Sequence, residues 1–371
     1  MGDANTIEQN RVPPPDTGPP ASRTRSILRL LLANLAVWLA LEGCAWTLLT
    51  LTAAPPTPSA PADGSAADKD WLLQTRLSFE GGLYEWDEHC LWRLAANYQG
   101  GMDDRRRFWG DLPLTLNEHG MRSPRVTKEK PEQVRRVLII GGSHPMGMYV
   151  NYEESYGAVL ESLLNEKTAQ RWQVLNASSP GYTSFQGREY LHHYGRDFEP
   201  DIVISDLGVN DQLPLTEDFP TPDHKVRRPP HWVVDARSVL RFSAVYRLLR
   251  TWLTARSELD PLAKQRVPDT QHKENLEVMQ AQGADDGFHV LLMAQFRVDT
   301  YGSGRVDCLY TEADHEAVVD TCSLWRSHGN EARRYFADPI HANAQGHALL
   351  GALVFQRLLE LEWIQPRPDP T

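Results

Sequence analysis

A run of four apolar residues, Val137 to Ile140, constrains the fold of this 371-residue chain more than any other feature. Such a run is typical of a strand buried on both faces of a parallel sheet. Gly141 and Gly142 end the run, and Ser143 follows where ligands bind in open α/β sheets. Residues 149–165 predict the return helix, because their apolar residues repeat at helical spacing. Taken alone, this stretch favours an ordinary strand–helix turn, and it also fits a turn that presents a nucleophile beside a helix N-terminus.

Later segments continue the alternation of strand and helix. Buried strands are predicted at 172–176, at 202–207 and at 289–295, and an apolar helix at 347–361 closes the fold. Strands that alternate with helices favour a parallel sheet covered on both faces. The predicted fold class is therefore α/β, a three-layer α/β/α sandwich around a parallel sheet of about five strands.

The N-terminal part of the chain predicts a membrane anchor. Residues 1–26 are polar and rich in proline, as expected for a disordered cytoplasmic tail. The segment Leu30–Thr52 holds nine leucines and a single charge, Glu42, and is long enough to span a bilayer as a helix. An acidic residue near the centre of such a helix costs about 2.5–3.5 kcal/mol on an insertion scale. The favourable insertion free energy of the leucines roughly offsets this cost. We therefore predict a transmembrane signal anchor over 27–54.

The charges on either side of this segment set its orientation. Arg23, Arg25 and Arg29 precede it and acidic residues follow it, so the positive-inside rule places everything after residue 55 outside the cytoplasm. The expected location is a bacterial inner membrane, crossed once, with the folded domain facing the periplasm. A cleaved signal peptide, a lipoprotein processing site at Cys44 and a buried core helix remain alternatives.

The rest of the chain divides into a linker and one large domain. Residues 55–69 are rich in Pro, Ala, Ser and Asp and predict the linker, and 70–371 form the domain. Residues 70–128 are an N-terminal extension of mixed strands and loops, and 213–285 are a possible lid or insertion. An amphipathic helix within 234–257 carries a leucine and aromatic stripe that favours core packing over a binding surface. A net charge of −11 with no basic stripe disfavours a nucleic-acid partner.

Four cysteines are spread thinly over the chain. In an oxidising compartment Cys308 and Cys322 would pair across a short loop and leave Cys90 free. Alternatively, all of them are small buried apolar residues.

Chemistry-bearing residues follow several of the predicted strands. Ser143, Gly181, Asn210 and the Asp338/His341 pair suggest nucleophilic acyl transfer. Ser143 would attack an ester carbonyl, His341 would act as general base, and Asp338 would orient the imidazole. The N–H groups of Ser143 and Gly181 and the amide of Asn210 would form the oxyanion hole.

These residues resemble the four blocks of the SGNH/GDSL hydrolase superfamily of esterases and lipases. The blocks correspond to Gly141-Gly142-Ser143, to Ser178-Ser-Pro-Gly181, to Gly208-Val-Asn210-Asp211 and to Asp338-Pro-Ile-His341. The similarity covers roughly 117–361, and its lead-in Asn117-x-x-Gly120-x-Arg122 resembles a bacterial, membrane-anchored branch. The resemblance implies a flavodoxin-like sheet and a serine esterase or acyl hydrolase that needs no cofactor and no metal. The expected substrate is an ester-bearing small molecule, a lipid or an acylated glycan.

One departure keeps other functions open. Gly142 stands where the family has aspartate, so an inactive binding or assembly protein of the same fold is an alternative. An O-acyltransferase that acts on envelope glycans would use the same serine and base.

Individual residues also have plainer interpretations. Asp338 could cap the following helix, and Asn210-Asp211 could be an ordinary turn. His144 fits a loop residue better than a base. A zinc site on His341 and His347 is disfavoured, because a spacing of six places them on different helix faces.

Overall fold

The computed structural model describes residues 21–52, 82–101, 112–215, 222–226, 230–240, 242–254, 264–311 and 315–368. The chain separates into two compact units. The first unit comprises Met1–Ala60 with Leu240–Leu253, and the second comprises Pro61–Val239 with Thr254–Thr371. The predicted linker at 55–69 and most of the predicted tail lie outside the described residues.

The elements are numbered here in chain order. The strands are β1 (Tyr84–Asp87), β2 (Leu91–Leu94), β3 (Gln99–Gly101), β4 (Pro113–Thr115), β5 (Val134–Gly141), β6 (Arg171–Asn176), β7 (Ile202–Asp206), β8 (His289–Met293), β9 (Gln295–Val298), β10 (Val306–Tyr310) and β11 (Val318–Val319). The α-helices are α1 (Ala21–Thr52), α2 (Ser143–Met146), α3 (Tyr156–Lys167), α4 (Ser184–His193), α5 (His231–Leu240), α6 (Ala244–Thr254), α7 (Asp269–Asp286), α8 (Thr321–Ser327) and α9 (Ala344–Glu360). Short 3-10 helices occupy Tyr152–Glu154, Gly195–Phe198, Asp223–Lys225 and Gly329–Tyr335.

A five-stranded parallel sheet forms the centre of the second unit. Its strand order is β11-β8-β7-β5-β6, and every neighbouring pair is parallel. Numbered by their order along the chain, these strands run 2-1-3-4-5 across the sheet, which is the doubly wound, flavodoxin-like order. The prediction of an α/β fold with a parallel, flavodoxin-like sheet is confirmed.

Residues of β5 alternate between two cores, one on each face of the sheet. Leu138 and Ile140 pack with α4 and α7, whereas Val137 and Ile139 pack with α3 and α9. All four side chains are fully buried. The uninterrupted apolar run is thus the consequence of helices on both faces, since neither face of this strand meets water.

The N-terminal extension forms two antiparallel hairpins, β1–β2 and β3–β4. Leu91, Trp92 and Leu114 join the core on the α4 side of the sheet. The described part of the extension thus consists of these hairpins and the loops that connect them.

The described part of the predicted insertion at 213–285 contains three α-helices and the short 3-10 helix Asp223–Lys225. The last of them, α7, buries His272, Asn275, Leu276 and Met279 and belongs to the helical layer on the sheet. Residues 269–285 are therefore a structural part of the sandwich and not part of a lid. The amphipathic helix expected within 234–257 is two helices, α5 and α6, with a break between them.

A disulfide joins β10 to α8. Cys308 pairs with Cys322 over a Cα–Cα distance of 5.9 Å, and Cys90 is free and buried. The bond ties the β9–β10 hairpin to a helix that packs against it.

The first unit contains α1 and the residues around α6. One stretch of α1, the 25 residues Ile27–Leu51, is long and apolar enough to cross a membrane. Its length and composition agree with the predicted anchor.

Candidate active site

The turn after β5 places Ser143 at the first position of α2. The N–H of such a residue has no acceptor within its own helix, so it is free to bind an anion. The turn closes at Gly147, whose φ of 83° is in the left-handed region that glycine adopts without strain. Buried Arg122 donates hydrogen bonds to the carbonyls of Met146, Gly147 and Val150 and so fixes this turn.

Ser143, His341 and Asp338 form a continuous hydrogen-bonded chain. The Ser143 Oγ lies 2.7 Å from His341 Nε2, and His341 Nδ1 lies 2.6 Å from Asp338 Oδ2. An ionised carboxylate only accepts, so Nδ1 carries the proton and Nε2 is the acceptor for the serine hydroxyl. Burial alone would raise the pKa of Asp338, but His341 and the backbone N–H groups of Ile340 and His341 outweigh it and lower this pKa. The aspartate therefore stays ionised.

Asp338 is not a helix cap. It accepts hydrogen bonds from the N–H groups of Ile340 and His341, whereas Asn343 caps α9. The Nδ1 atom of His347 accepts a hydrogen bond from the N–H of Tyr156. The cap interpretation of Asp338 is wrong.

Asn210 lies beside the serine turn. Its Nδ2 donates to the carbonyl of Tyr182 at 2.9 Å, and a Cβ atom added at Gly142 would stand only 2.7 Å from the same Nδ2. An aspartate at position 142 would therefore push the Asn210 amide out of place. The glycine that departs from the family pattern is sterically matched to this position of Asn210.

Gly181 precedes Tyr182 in the second loop of the site. Its φ is +79°, and a Cβ atom there would meet the Trp92 ring at 3.3 Å. Arg266 donates to the Gly181 carbonyl at 2.8 Å and forms a buried ion pair with Asp223. Sequence reasoning missed Arg266, because the residue follows Gly181 by 85 positions and matches no block.

Asp211 is a second residue whose role the sequence left open as an ordinary turn. It is fully buried, and it accepts hydrogen bonds from the N–H and the hydroxyl of Ser184. His272 Nδ1 lies 2.8 Å from Asp211 Oδ2. These contacts fasten the loop that carries Asn210 to α4 and to α7.

A buried polar cluster lies behind the serine. His144 Nδ1 stands 3.4 Å from Asp206, which also accepts hydrogen bonds from Tyr156 and Gln295. The ring of His347 stacks on His144 with 5.7 Å between centroids. Burial, followed by the electrostatic influence of His144, Arg122 and His341, lowers the pKa of His347 well below its usual value, so this imidazole is neutral. His144 belongs to this cluster and is not a loop residue.

Tyr149 completes the surroundings of the His341 imidazole. Its φ is 70°, which is an unfavourable region for a bulky side chain, and its ring meets the His341 ring edge-on at 5.5 Å. Burial and then Asp338, to which its hydroxyl is hydrogen-bonded, raise the pKa of Tyr149.

A small cavity of about 20 Å³ opens beside the serine. It is lined by Gly142, Ser143, His144, Pro145, Tyr182, Asp206, Leu207, Gly208, Val209, Asn210, Gln295 and Ile340. The structure thus brings Ser143, His341, Asp338 and Asn210 together. Gly181 is adjacent to this lining through Tyr182 and is not itself part of it.

No protein-family model matches the chain, and no curated protein matches its sequence. The chain is similar to several solved structures. A lipase/acylhydrolase from Enterococcus faecalis is 17% identical, with a TM-score of 0.31 over 63% of this chain and 100% of the other. A putative GDSL-like lipase from Parabacteroides merdae is 12% identical, with a TM-score of 0.34 over 62% and 98%. The esterase EstA from Pseudoalteromonas sp. is 14% identical, with a TM-score of 0.35 over 62% and 98%. Because these identities and TM-scores are low, we base the chemistry below on the geometry around Ser143.

Proposed function

We propose that this chain is a serine esterase that cleaves an acyl ester through Ser143, His341 and Asp338. The observation that carries the proposal is the 2.7 Å contact between Ser143 Oγ and His341 Nε2, continued by the 2.6 Å contact from His341 Nδ1 to Asp338. A nucleophile, its base and an orienting carboxylate in hydrogen-bond reach are the requirement for activated serine chemistry.

The reaction follows from the positions of these groups. Ser143 Oγ attacks the ester carbonyl while its proton passes to His341 Nε2, and Asp338 stabilises the imidazolium that forms. His341 then gives this proton to the leaving alcohol, and an acyl group remains on Ser143. Water, deprotonated by the same imidazole, releases the acid and restores the serine.

The negative oxygen of the tetrahedral intermediate needs preorganised donors. The N–H of Ser143, the side-chain amide of Asn210 and the N–H of Gly181 are assigned to this role. Each donor of this kind typically contributes about 2.7–4 kcal/mol of transition-state stabilisation. At about 20 Å³, the cavity beside the serine has room for about one water-sized group, which favours a short acyl group such as acetyl.

The apolar helix Ile27–Leu51 supports an assignment as a single-pass membrane anchor. With arginines before it and acidic residues after it, the enzyme domain would face the periplasm. An acylated envelope glycan or lipid is then within reach as substrate.

Hydrolysis of p-nitrophenyl acetate by the full chain in detergent tests this function, with p-nitrophenyl octanoate as the long-chain comparison. We expect acetate to be cleaved faster than octanoate, and we expect Ser143→Ala to abolish both activities. An exposed residue on α3, Glu166→Ala, serves as the control and should retain activity. Equal activity in wild type and Ser143→Ala would exclude the proposed nucleophile. If a fluorophosphonate labels Ser143 but neither ester is hydrolysed, the result would point to acyl transfer to another acceptor.

A further inference from the structure

A second group of exposed apolar side chains lies far along the chain from the α1 helix. Outside α1, eight large apolar residues are exposed in the described part of the chain, and five of them fall within residues 232–249. In the first compact unit these are Leu240, Phe242 and Leu249, which are 46%, 77% and 53% exposed. The leucine and aromatic stripe within 234–257, which the sequence analysis assigned to a protein core, is thus largely exposed in the described residues. Clustered exposed apolar residues of this kind mark an interaction surface.

The helix that follows Phe242 is joined to α1 by hydrogen bonds. The Glu42 carboxylate accepts from the Ser243 hydroxyl and from the N–H groups of Ala244, at 2.5 Å, and Val245, at 3.4 Å. These N–H groups belong to the first turn of α6, where unpaired donors and the helix dipole favour an anion. The one acidic residue of the apolar segment therefore has a partner that offsets its insertion cost.

Burial of small residues agrees with this contact. Ala45 is 5% exposed although its neighbour Trp46 is 60% exposed, and Ala244 is 3% exposed. Small side chains at both positions allow two helix backbones to approach closely.

The position of Glu42 determines the depth of this contact in a bilayer. It precedes Leu51, the end of the apolar stretch, by nine residues, or about 13 Å of helix. The 25-residue stretch is about 37 Å long and overhangs a hydrocarbon core of about 30 Å by a few ångströms at each end. The start of α6 therefore lies about 10 Å below the hydrocarbon boundary, near the depth at which interfacial helices insert.

We propose that α6 and the residues just before it insert into the outer boundary of the lipid bilayer, docked on Glu42 of the membrane-spanning helix. This inference rests on the membrane anchoring proposed above and is independent of the esterase chemistry. Leu240, Phe242 and Leu249 meet acyl chains. The chain then holds the membrane by two helical elements, one that spans it and one that lies in its surface.

Depth-dependent quenching tests the proposal. Full-length protein carrying Cys44→Ala is placed in dioleoyl phosphatidylcholine vesicles, with or without brominated acyl chains. Bimane is attached in turn to Phe242→Cys, to Leu249→Cys, to Val278→Cys on α7 and to Leu35→Cys on α1. We expect bromolipid to quench the labels at 242, 249 and 35 at least about twofold and to leave the label at 278 unchanged.

Each other outcome overturns the inference in a recognisable way. Quenching at position 35 but not at 242 and 249 would disprove the insertion of α6 and leave the anchor intact. No quenching at position 35 would disprove the anchor and this inference together, while ester hydrolysis would be unaffected. If the bimane at position 242 is protected from quenching only at high protein concentration, the exposed apolar residues contact a second copy of the chain and not lipid.

A cross-link tests the contact with Glu42 separately. The double variant Glu42→Cys/Ser243→Cys, again with Cys44→Ala, should form an intramolecular disulfide on mild oxidation in vesicles. The matched pair Leu35→Cys/Ser243→Cys should not, because Leu35 lies about two helical turns before Glu42 on α1. Failure of the first pair to cross-link in protein that still hydrolyses ester would overturn the docked arrangement.

Discussion

Two buried arginines hold the two loops of the candidate active site, and they do so in different ways. Arg122 fixes the serine turn through three backbone carbonyls, whereas Arg266 fixes the Gly181 loop and is paired with the buried carboxylate of Asp223. Both side chains are 2% exposed. Burial lowers the pKa of Arg122, which Glu153 opposes only in part.

The difference concerns what each loop depends on. The serine turn depends on a residue that lies just before β5 in the chain, so it is braced by its own surroundings. The Gly181 loop depends on an ion pair between Arg266 and Asp223, both within the predicted insertion. The two halves of the proposed oxyanion hole are therefore supported by separate parts of the sequence and should respond separately to mutation.

The largest expected effect is on the Gly181 side. Arg266→Leu leaves Asp223 buried without its cation, and breaking a buried pair in this way costs about 3–5 kcal/mol of unfolding free energy. The double variant Arg266→Leu/Asp223→Leu should recover most of this stability, since apolar replacements of both partners are often neutral. Its kcat should still be about tenfold low, because the Gly181 carbonyl has lost its donor. Urea unfolding measures the stability and ester kinetics measure kcat. A double variant with normal kcat would show that Arg266 does not position Gly181.

On the serine side, Arg122→Met should cost about 3 kcal/mol of unfolding free energy. Three buried carbonyls lose their donor, and no uncompensated charge is left behind. Arg122→Lys keeps the charge but loses the fork that reaches several carbonyls, so it should be intermediate. Urea midpoints rank the three proteins, and a loss below about 1 kcal/mol for Arg122→Met would contradict the bracing role.

A smaller, purely kinetic effect is expected where the two loops meet. Gly142→Ala places a Cβ atom against the Asn210 amide and should lower kcat about 10–100-fold with little change in KM. Asn210→Ala serves as the matched variant. If both changes act on one donor, the double variant should be no worse than Asn210→Ala alone. If the losses in kcat are additive, Gly142→Ala does not act through the Asn210 amide.

The smallest effect is a pH dependence behind the serine turn. His347 has a folded-state pKa well below the 6.5 of an ordinary histidine, so the unfolded chain binds more protons than the folded one below pH 6.5. The contribution of His347 to the free energy of unfolding is fully present above that pH. It decreases as the pH falls, by up to about 1.4 kcal/mol per pH unit. In His347→Asn this contribution to the slope should vanish. Urea unfolding between pH 5 and 7.5 measures it, and identical slopes in both proteins would contradict a buried neutral His347.

The contrast between the arginines also shows what the sequence can predict. The apolar run of β5, the glycines of the turn and the Asp338-x-x-His341 spacing are local patterns, and they predict the sheet and the four residues that meet at the site. Arg122 was found for the same reason, as part of a short lead-in. Arg266 acts over a long separation, so only the folded chain reveals its contact with Gly181.

Two further misses have the same physical origin. Helix α7 has few apolar residues, because it buries polar side chains such as His272 and Asn275 that are satisfied only in the folded state. The apolar residues around α6 suggested a core, yet Phe242 and Leu249 are exposed, because periodicity reveals an apolar face but not what covers it. In both cases the sequence shows which residues are apolar or polar, but it does not show which parts of the folded chain surround them.

Labelling with a fluorophosphonate tests the central claim, that Ser143 is activated by His341, without any assumption about the substrate. Intact mass and peptide mapping of the full-length protein should find one adduct, on Ser143. The same reaction with His341→Gln, in protein shown to be folded, should be slower by about 10³-fold or more. No adduct in folded wild-type protein, or a rate that does not depend on His341, would contradict the account.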